Sequence, residues 1–469
     1  MVNQNRALFE REFARKKTRD ETANHRGISM ITSSTPRLSG SPLAAGATVP
    51  LTFIGIGMLA ALAGTGWMAA APTTLALPHL HPHVIALAHV WLLGVLLTIC
   101  FGAVYQLLPV LANTAFRGRT LAWMHLAVHV VGVTTMISGF MAGKMGLVAL
   151  GGTAVSIGVG LFAVNVTRTL RSAPRLDPVL VAFGCATAWL ILTVLAGVLL
   201  AANLHFGWWS MNVLALLRAH AHLGVAGFFI TLLQGAMFRL VPMFTLGVVQ
   251  KLRRIGVALA LSQLGLLVLA PALAFEARPA ALIGAGLLLI SFTLSAFELR
   301  RVFGTRKKRN LEPGVRGFFV GLTLLCVAAV GGTVLAAGPG DHLRAALAYG
   351  VLAVLGGVLA SVEGMLCKIV PFLVWMRVYG PRVGRQPTPV ATSLGAAAFE
   401  RAWIALHTVS VTTLALGTLT GHNGLLIGGT LGFALAQLAL VTSLATAARH
   451  LWRPVTPAVV FRNFAKGMV

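Results

Sequence analysis

The sequence predicts an all-α membrane protein of twelve transmembrane helices, arranged as three four-helix repeats. Three observations predict it. The chain is 57% hydrophobic and only 10% charged, with a mean hydropathy of +0.85. Apolar runs of about 20 residues or more, enough to cross a hydrocarbon core of ~30 Å, recur along most of its length. Three of these runs are also copies of one another: AHVWLLGVLLTICFGAVYQLLP (88–109), RAHAHLGVAGFFITLLQGAMFRLVP (218–242) and YGVLAVLGGVLASVEGMLCKIVP (349–371). Superposed, they align Gly94 with Gly227 and Gly356, Gly102 with Gly235 and Gly364, and Pro109 with Pro242 and Pro371. A period of roughly 130 residues seen three times is an architectural statement.

Taken in order, residues 1–48 are polar and basic, without an apolar run. They read as a disordered cytoplasmic tail and lack the pattern of a secretory signal. The membrane domain, 49–448, divides into spans at about 49–72, 84–112, 120–142, 146–167, 178–203, 212–247, 254–274, 279–299, 317–337, 343–375, 398–420 and 423–448. In lipid each must be helical, because every backbone group needs an internal partner. The copied helix is the second of each repeat: spans 2, 6 and 10. Its glycines invite close helix approach, and its terminal proline a bend. Residues 449–469 form a short cytoplasmic C-terminal tail.

Charge sets the topology. The net charge of +26 resides in short loops and tails, so it does not argue for nucleic acid. One side carries Arg117, Arg119, Arg168, Arg171, Arg175, Lys251, Arg253 and Arg254, the run Arg300 to Arg316, and Arg377, Arg382 and Arg385. Loops on the other side hold at most one basic residue each: Lys144, Arg218, Arg278 and Arg344. This bias places both termini in the cytoplasm of a bacterial-type inner membrane, with anionic lipid as the partner of the basic loops. The four cysteines are scattered through the spans and form no haem-attachment motif.

Histidines in apolar helices point to function. His89 and His222 occupy the same place in two copies, where the third has Val351. Each lies about six residues into an outside-to-inside span, ~9 Å deep at ~1.5 Å per residue. Two neutral imidazoles at one level can serve a six-coordinate haem as axial ligands. His220, two residues before His222, points to the other side of its helix and can serve a neighbouring cavity. His79, His81 and His83 cluster in the outer loop HLHPHV, a pattern for copper or zinc landing or simply a solvated loop. His125, His129 and His407, in spans 3 and 11, either line a proton or ligand path or pack, and packing is the simpler reading. Glu363 is the only acid deep in a span, a proton carrier or internal counter-ion. Lys368, Arg239 and Gln106 share one position near the inner ends of spans 10, 6 and 2, where snorkelling accounts for them.

These features resemble the haem–copper oxidase subunit I-like superfamily. GAVYQLLPVLANTAF resembles the segment ending helix II there, and RAHAHLGVAGFFITLLQGAMFRLVP an H-x-H helix. The resemblance implies a twelve-helix body, a b-type haem and a low-spin haem ligand at His89. The family's copper site needs histidines on helices VI and VII, and helix X carries two haem ligands. Here no histidine occurs between His222 and His342, and span 10 has Tyr349 and Val351. The family's binuclear oxygen-reducing centre is therefore not expected, and His222 would supply the second haem bond. NnrS-like haem- and copper-containing membrane proteins of nitric-oxide response are a similar departure. The expected function is electron transfer or nitric-oxide response, with haem b, with copper as a further cofactor, and with a small redox partner or gaseous ligand. The alternative is a copper or haem transporter or metal-handling protein, although three-fold repeats differ from the inverted repeats of common carriers. A reporter fused after residue 310 should read as cytoplasmic; a periplasmic signal there would overturn the topology.

Overall fold

Backbone groups in hydrocarbon must pair within their own segment, and the chain meets that demand with helices. The structure, a computed structural model, describes residues 46–210, 212–338 and 342–454. Among these, twelve helices are long and apolar enough to cross a membrane: α1 (Thr48–Ala70), α2 (Pro82–Leu111), α3 (Arg119–Met141), α4 (Met145–Arg171), α5 (Pro178–Phe206), α6 (Val213–Thr245), α7 (Leu252–Ala274), α8 (Arg278–Gly304), α9 (Pro313–Ala337), α10 (Leu343–Val378), α11 (Ala397–Thr420) and α12 (Asn423–Leu451). Several run beyond their apolar stretch. Helices α4 and α8 continue through Arg168 and Arg171 and through Arg300 and Arg301. Arginine is a good helix former, and its stem can lie along apolar surface while its head stays in water.

The predicted tail 1–48 lies outside the described residues except for 46–48, and Thr48 already opens α1. The C-terminal tail begins later than 449. Arg449–Leu451 close α12 as a 3-10 turn, and His450 is buried with its Nδ1 2.8 Å from the Tyr379 hydroxyl. Residues 455–469 lie outside the described residues.

The third and fourth helices of each repeat pair most extensively: α3 with α4, α7 with α8, α11 with α12. Helix α12 returns to α1 and closes the ring. The copied helices α2, α6 and α10 reach the centre, where the middle of α10 touches the middles of both α2 and α6.

The repeated glycine near the inner end of each copied helix seats that helix on the first helix of its own repeat. A Cβ on Gly102 would lie 2.8 Å from Phe53 Cβ, one on Gly235 2.6 Å from Ala182 Cβ, and one on Gly364 2.5 Å from the Phe318 backbone nitrogen. Beside them the basic residues do more than snorkel. Arg239 pairs with Asp177, which also caps α5 through the Leu180 N–H at 3.0 Å. Lys368 pairs with Glu312, the residue preceding α9. Gln106, the neutral equivalent, has no acid to meet, and its Oε1 is buried without a hydrogen-bond partner. Each of the second and third repeats is thus locked by a glycine contact and an ion pair at one end. We expect Gly364→Leu to cost about 1–3 kcal/mol, since the neighbour is backbone and cannot yield. Thermal unfolding in detergent checks this; an unchanged midpoint would contradict the contact.

Candidate functional site

The site is built on a break in the copied helices. Immediately after His89, His222 and Val351, each passes into a π-helical segment: Val90–Leu97, Leu223–Ile230 and Leu352–Leu359. A π turn spends one extra residue, shifts the downstream faces, and disturbs the i→i−4 ladder; such turns recur at functional sites. In lipid a displaced carbonyl needs another donor.

Each repeat finds that donor in the same way. The equivalent carbonyls are those of Leu93, Ala226 and Leu355. Leu93 O accepts from Thr98 Oγ1 at 2.9 Å and from His129 Nε2 of α3 at 3.2 Å. Leu355 O accepts from His407 Nε2 of α11 at 2.9 Å. Ala226 O accepts from Thr231 Oγ1 at 3.2 Å, and Gln263 of α7 donates to that hydroxyl at 3.4 Å. The third helix of every repeat thus supports the break in the second. His129 and His407 are structural donors. His125, one turn from His129, bonds the Tyr105 hydroxyl at 2.9 Å inside a cage of Phe53, Phe101 and Phe162.

His89 and His222 share a second device. His89 Nδ1 lies 2.7 Å from Ile85 O, and His222 Nδ1 lies 2.8 Å from Arg218 O. A carbonyl only accepts, so both rings carry the proton on Nδ1 and turn a bare Nε2 lone pair outward. This is how ligating histidines are oriented.

The two rings do not face each other across one gap. His222 lines a cavity of about 460 Å³ between α6 and α10, walled by α7, α8 and α9; Ala88 and Trp91 line it from α2, but His89 does not. His222 Nε2 meets the Tyr349 hydroxyl at 3.4 Å, and the two rings are near-parallel. His89 packs on Phe140 of α3, with ring centroids 5.1 Å apart, and is electrostatically coupled to His220. The reason is three-fold geometry. His222, at the start of its break, meets Tyr349, which lies two residues before the equivalent position on the next copy. His89 lies near enough to His220 for their charges to interact. Leu87 and Val351 are both apolar and line the cavity. Residues two apart lie on opposite sides of a helix, so His220 and His222 serve different clefts.

His220 Nδ1 is buried without a hydrogen-bond partner, and its ring sits where a Cβ on Gly197 would come within 2.9 Å. The cavity walls are mostly Leu, Ala and Val, with Arg218, His79 and His342 contributing polar groups.

The loop histidines do not converge as a trio, although the His81 and His83 rings pack edge to face with centroids 5.0 Å apart. His81 Nδ1 accepts the His83 backbone N–H at 3.2 Å and caps α2, His83 packs near Trp67, and His79 turns to the cavity. Among the described residues no three His, Cys, Asp or Glu side chains group as a metal site.

Glu363 sits elsewhere, on α10 against α11 and α12. Its Oε2 accepts from Trp403 Nε1 at 2.9 Å and its Oε1 from Gln437 Nε2 at 2.8 Å. The equivalent position is Phe101 in the first repeat, packed on His125 and His129. In the second it is Gln234, bonded to Ser262, Ser291 and Ser295.

Tyr349 was visible in the sequence only as a departure from histidine. The π segments had no sequence signal beyond the threonines Thr98 and Thr231 closing two of them. No protein-family model matches the chain, and no curated protein matches it. We expect His129→Ala to leave the Leu93 carbonyl with the Thr98 hydroxyl alone and to cost about 0.5–1.5 kcal/mol for the lost hydrogen bond. Differential scanning of the purified variant measures it, and an unchanged Tm would remove the support role.

Proposed function

We propose that this is a haem-binding protein of a bacterial-type inner membrane, both termini cytoplasmic, working in electron transfer or in the response to nitric oxide. One observation carries the reading: His222, its Nδ1 fixed on Arg218 O, lines a mostly apolar intramembrane cavity of about 460 Å³, with its Nε2 met only by the Tyr349 hydroxyl at 3.4 Å. Cofactor sites have this character: a few placed polar groups in an apolar concavity of ≈ 300–1,000 Å³.

The residues present fit a b-type haem. His222 would hold the iron through its Nε2, and the Leu and Ala walls would contact the macrocycle. Arg218, one turn from His222, lines the same cavity and would offer positive charge to the carboxylates. No C-x-x-C-H motif exists, so attachment would be non-covalent. When bound, the haem would supply a one-electron iron centre that also takes diatomic gases. The Tyr349 hydroxyl would then give up its contact with Nε2 and remain as a polar group of the cavity. His89 and His220 form a second imidazole pair, and the orphaned His220 Nδ1 favours them as a second seat for the same cofactor.

A copper partner finds no equivalent support. Helix α7 has no histidine, so copper would lack the donors for a centre beside the haem. Sustained oxygen reduction is not expected, and a transport role rests on no specific contact.

The test is the reduced-minus-oxidised optical spectrum of the purified protein and its variants. Wild type should show a b-type signal, and His222→Ala should lose most of it. Loss in His89→Ala and His220→Ala, with His222→Ala unaffected, moves the haem to the other cleft. A colourless wild-type protein that cannot be reconstituted with haem would refute the reading.

A further inference from the structure

The third repeat holds a buried carboxylate network without a lysine or arginine paired to its Glu363 among the described residues, and its hydrogen bonds require a proton. His407 Nε2 lies 2.9 Å from Leu355 O, so Nε2 carries hydrogen. On a neutral imidazole Nδ1 is then a bare lone pair, and it lies 3.4 Å from Glu363 Oε2. Two lone pairs so placed repel unless a proton lies between them. Glu363 otherwise only accepts, from Trp403 of α11 and Gln437 of α12. Both partners are 1% exposed. Helix α9 faces Glu363 with the backbone around Gly314 and Phe318, which offers no charge. Among the described residues no lysine or arginine pairs with Glu363, and Lys368 is held by Glu312. An unprotonated pair would leave a lone negative charge in the membrane interior, which is strongly disfavoured.

The network also has a direction. Helix α11 places Glu400, Trp403 and His407 on one face, rising from the arginine-rich side. Glu400 is buried and bonded to Ser443 of α12 at 3.3 Å. Cys367 lies one turn from Glu363 on α10, and both are buried. At the far end, Leu355 both accepts from His407 and lines the His222–Tyr349 cavity. The first two repeats have Ala122 and Ile255 where the third has Glu400, counting back equally from His129, Ser262 and His407. Neither repeats the chain of exchangeable groups.

We propose that Glu363 and His407 share one exchangeable proton, supplied from the arginine-rich side through Glu400 and held beneath the cavity wall. Exchange runs both ways along this route: for each proton that leaves the pair to water by way of Glu400 one returns, so no bare carboxylate persists. The inference does not depend on what occupies the cavity.

The test is infrared spectroscopy of the full-length protein in membranes, with transfer from H2O to D2O, alongside ¹⁵N resonance of labelled histidine. The proton appears as a protonated-acid C=O stretch or as a doubly protonated His407. The signal should vanish in Glu363→Gln, while Glu363→Asp, which keeps an acid, retains it at a shifted position and identifies the group even if the glutamine variant does not fold. Glu400→Gln should leave the signal and slow its exchange about a hundredfold, as loss of one placed proton-transfer group does. Absence of both signatures in wild type, or a signal surviving in folded Glu363→Gln, overturns the shared proton. Exchange at the wild-type rate in Glu400→Gln overturns the route.

Discussion

The constraint on which the rest depends is a displaced carbonyl. Three central helices each contain a π segment in the middle of a membrane span, where no water reaches the backbone. The carbonyls of Leu93, Ala226 and Leu355 then require donors: His129 and His407 of the third helix bond the first and last directly, whereas Ala226 takes Thr231 of its own helix, which Gln263 of the third helix bonds in turn. That requirement fixes how the third helix packs on the second. The break also falls directly after His89 and His222, so the same irregularity that needs support stands beside the imidazoles the helix presents.

Three copies of one helix have diverged around this shared frame. The repeated glycines keep each copy seated on its predecessor helix, and the ion pairs Arg239–Asp177 and Lys368–Glu312 fix two of the three inner ends. Within that frame the clefts differ in chemistry. One holds two histidines and one a histidine and a tyrosine, while Val351 and Leu87 are apolar. The deeper position differs likewise: an aromatic ring at Phe101, a neutral amide at Gln234, an acid at Glu363. The geometry repeats while the polar groups specialise.

The sequence by itself determined the twelve spans, their grouping by fours and the close glycine contacts. These follow from hydropathy over about 20 residues and from a period visible in one line of text, both of which are local or nearly so. It also picked out His89, His222, His220 and Glu363, because polar groups in apolar runs are conspicuous. Only the tertiary structure decided which of them meet. The pairing of His89 with His220, and of His222 with Tyr349, depends on how three helices are rotated about their axes. Matched depth alone suggested His89 with His222. The π segments, which shift those rotations, leave almost no trace in residue type, since apolar residues fill them as they fill any span. For the same reason His407 read as packing. Its role required a carbonyl on one neighbouring helix and a carboxyl on the same helix at once, far apart in sequence, and chain folding alone brings those together.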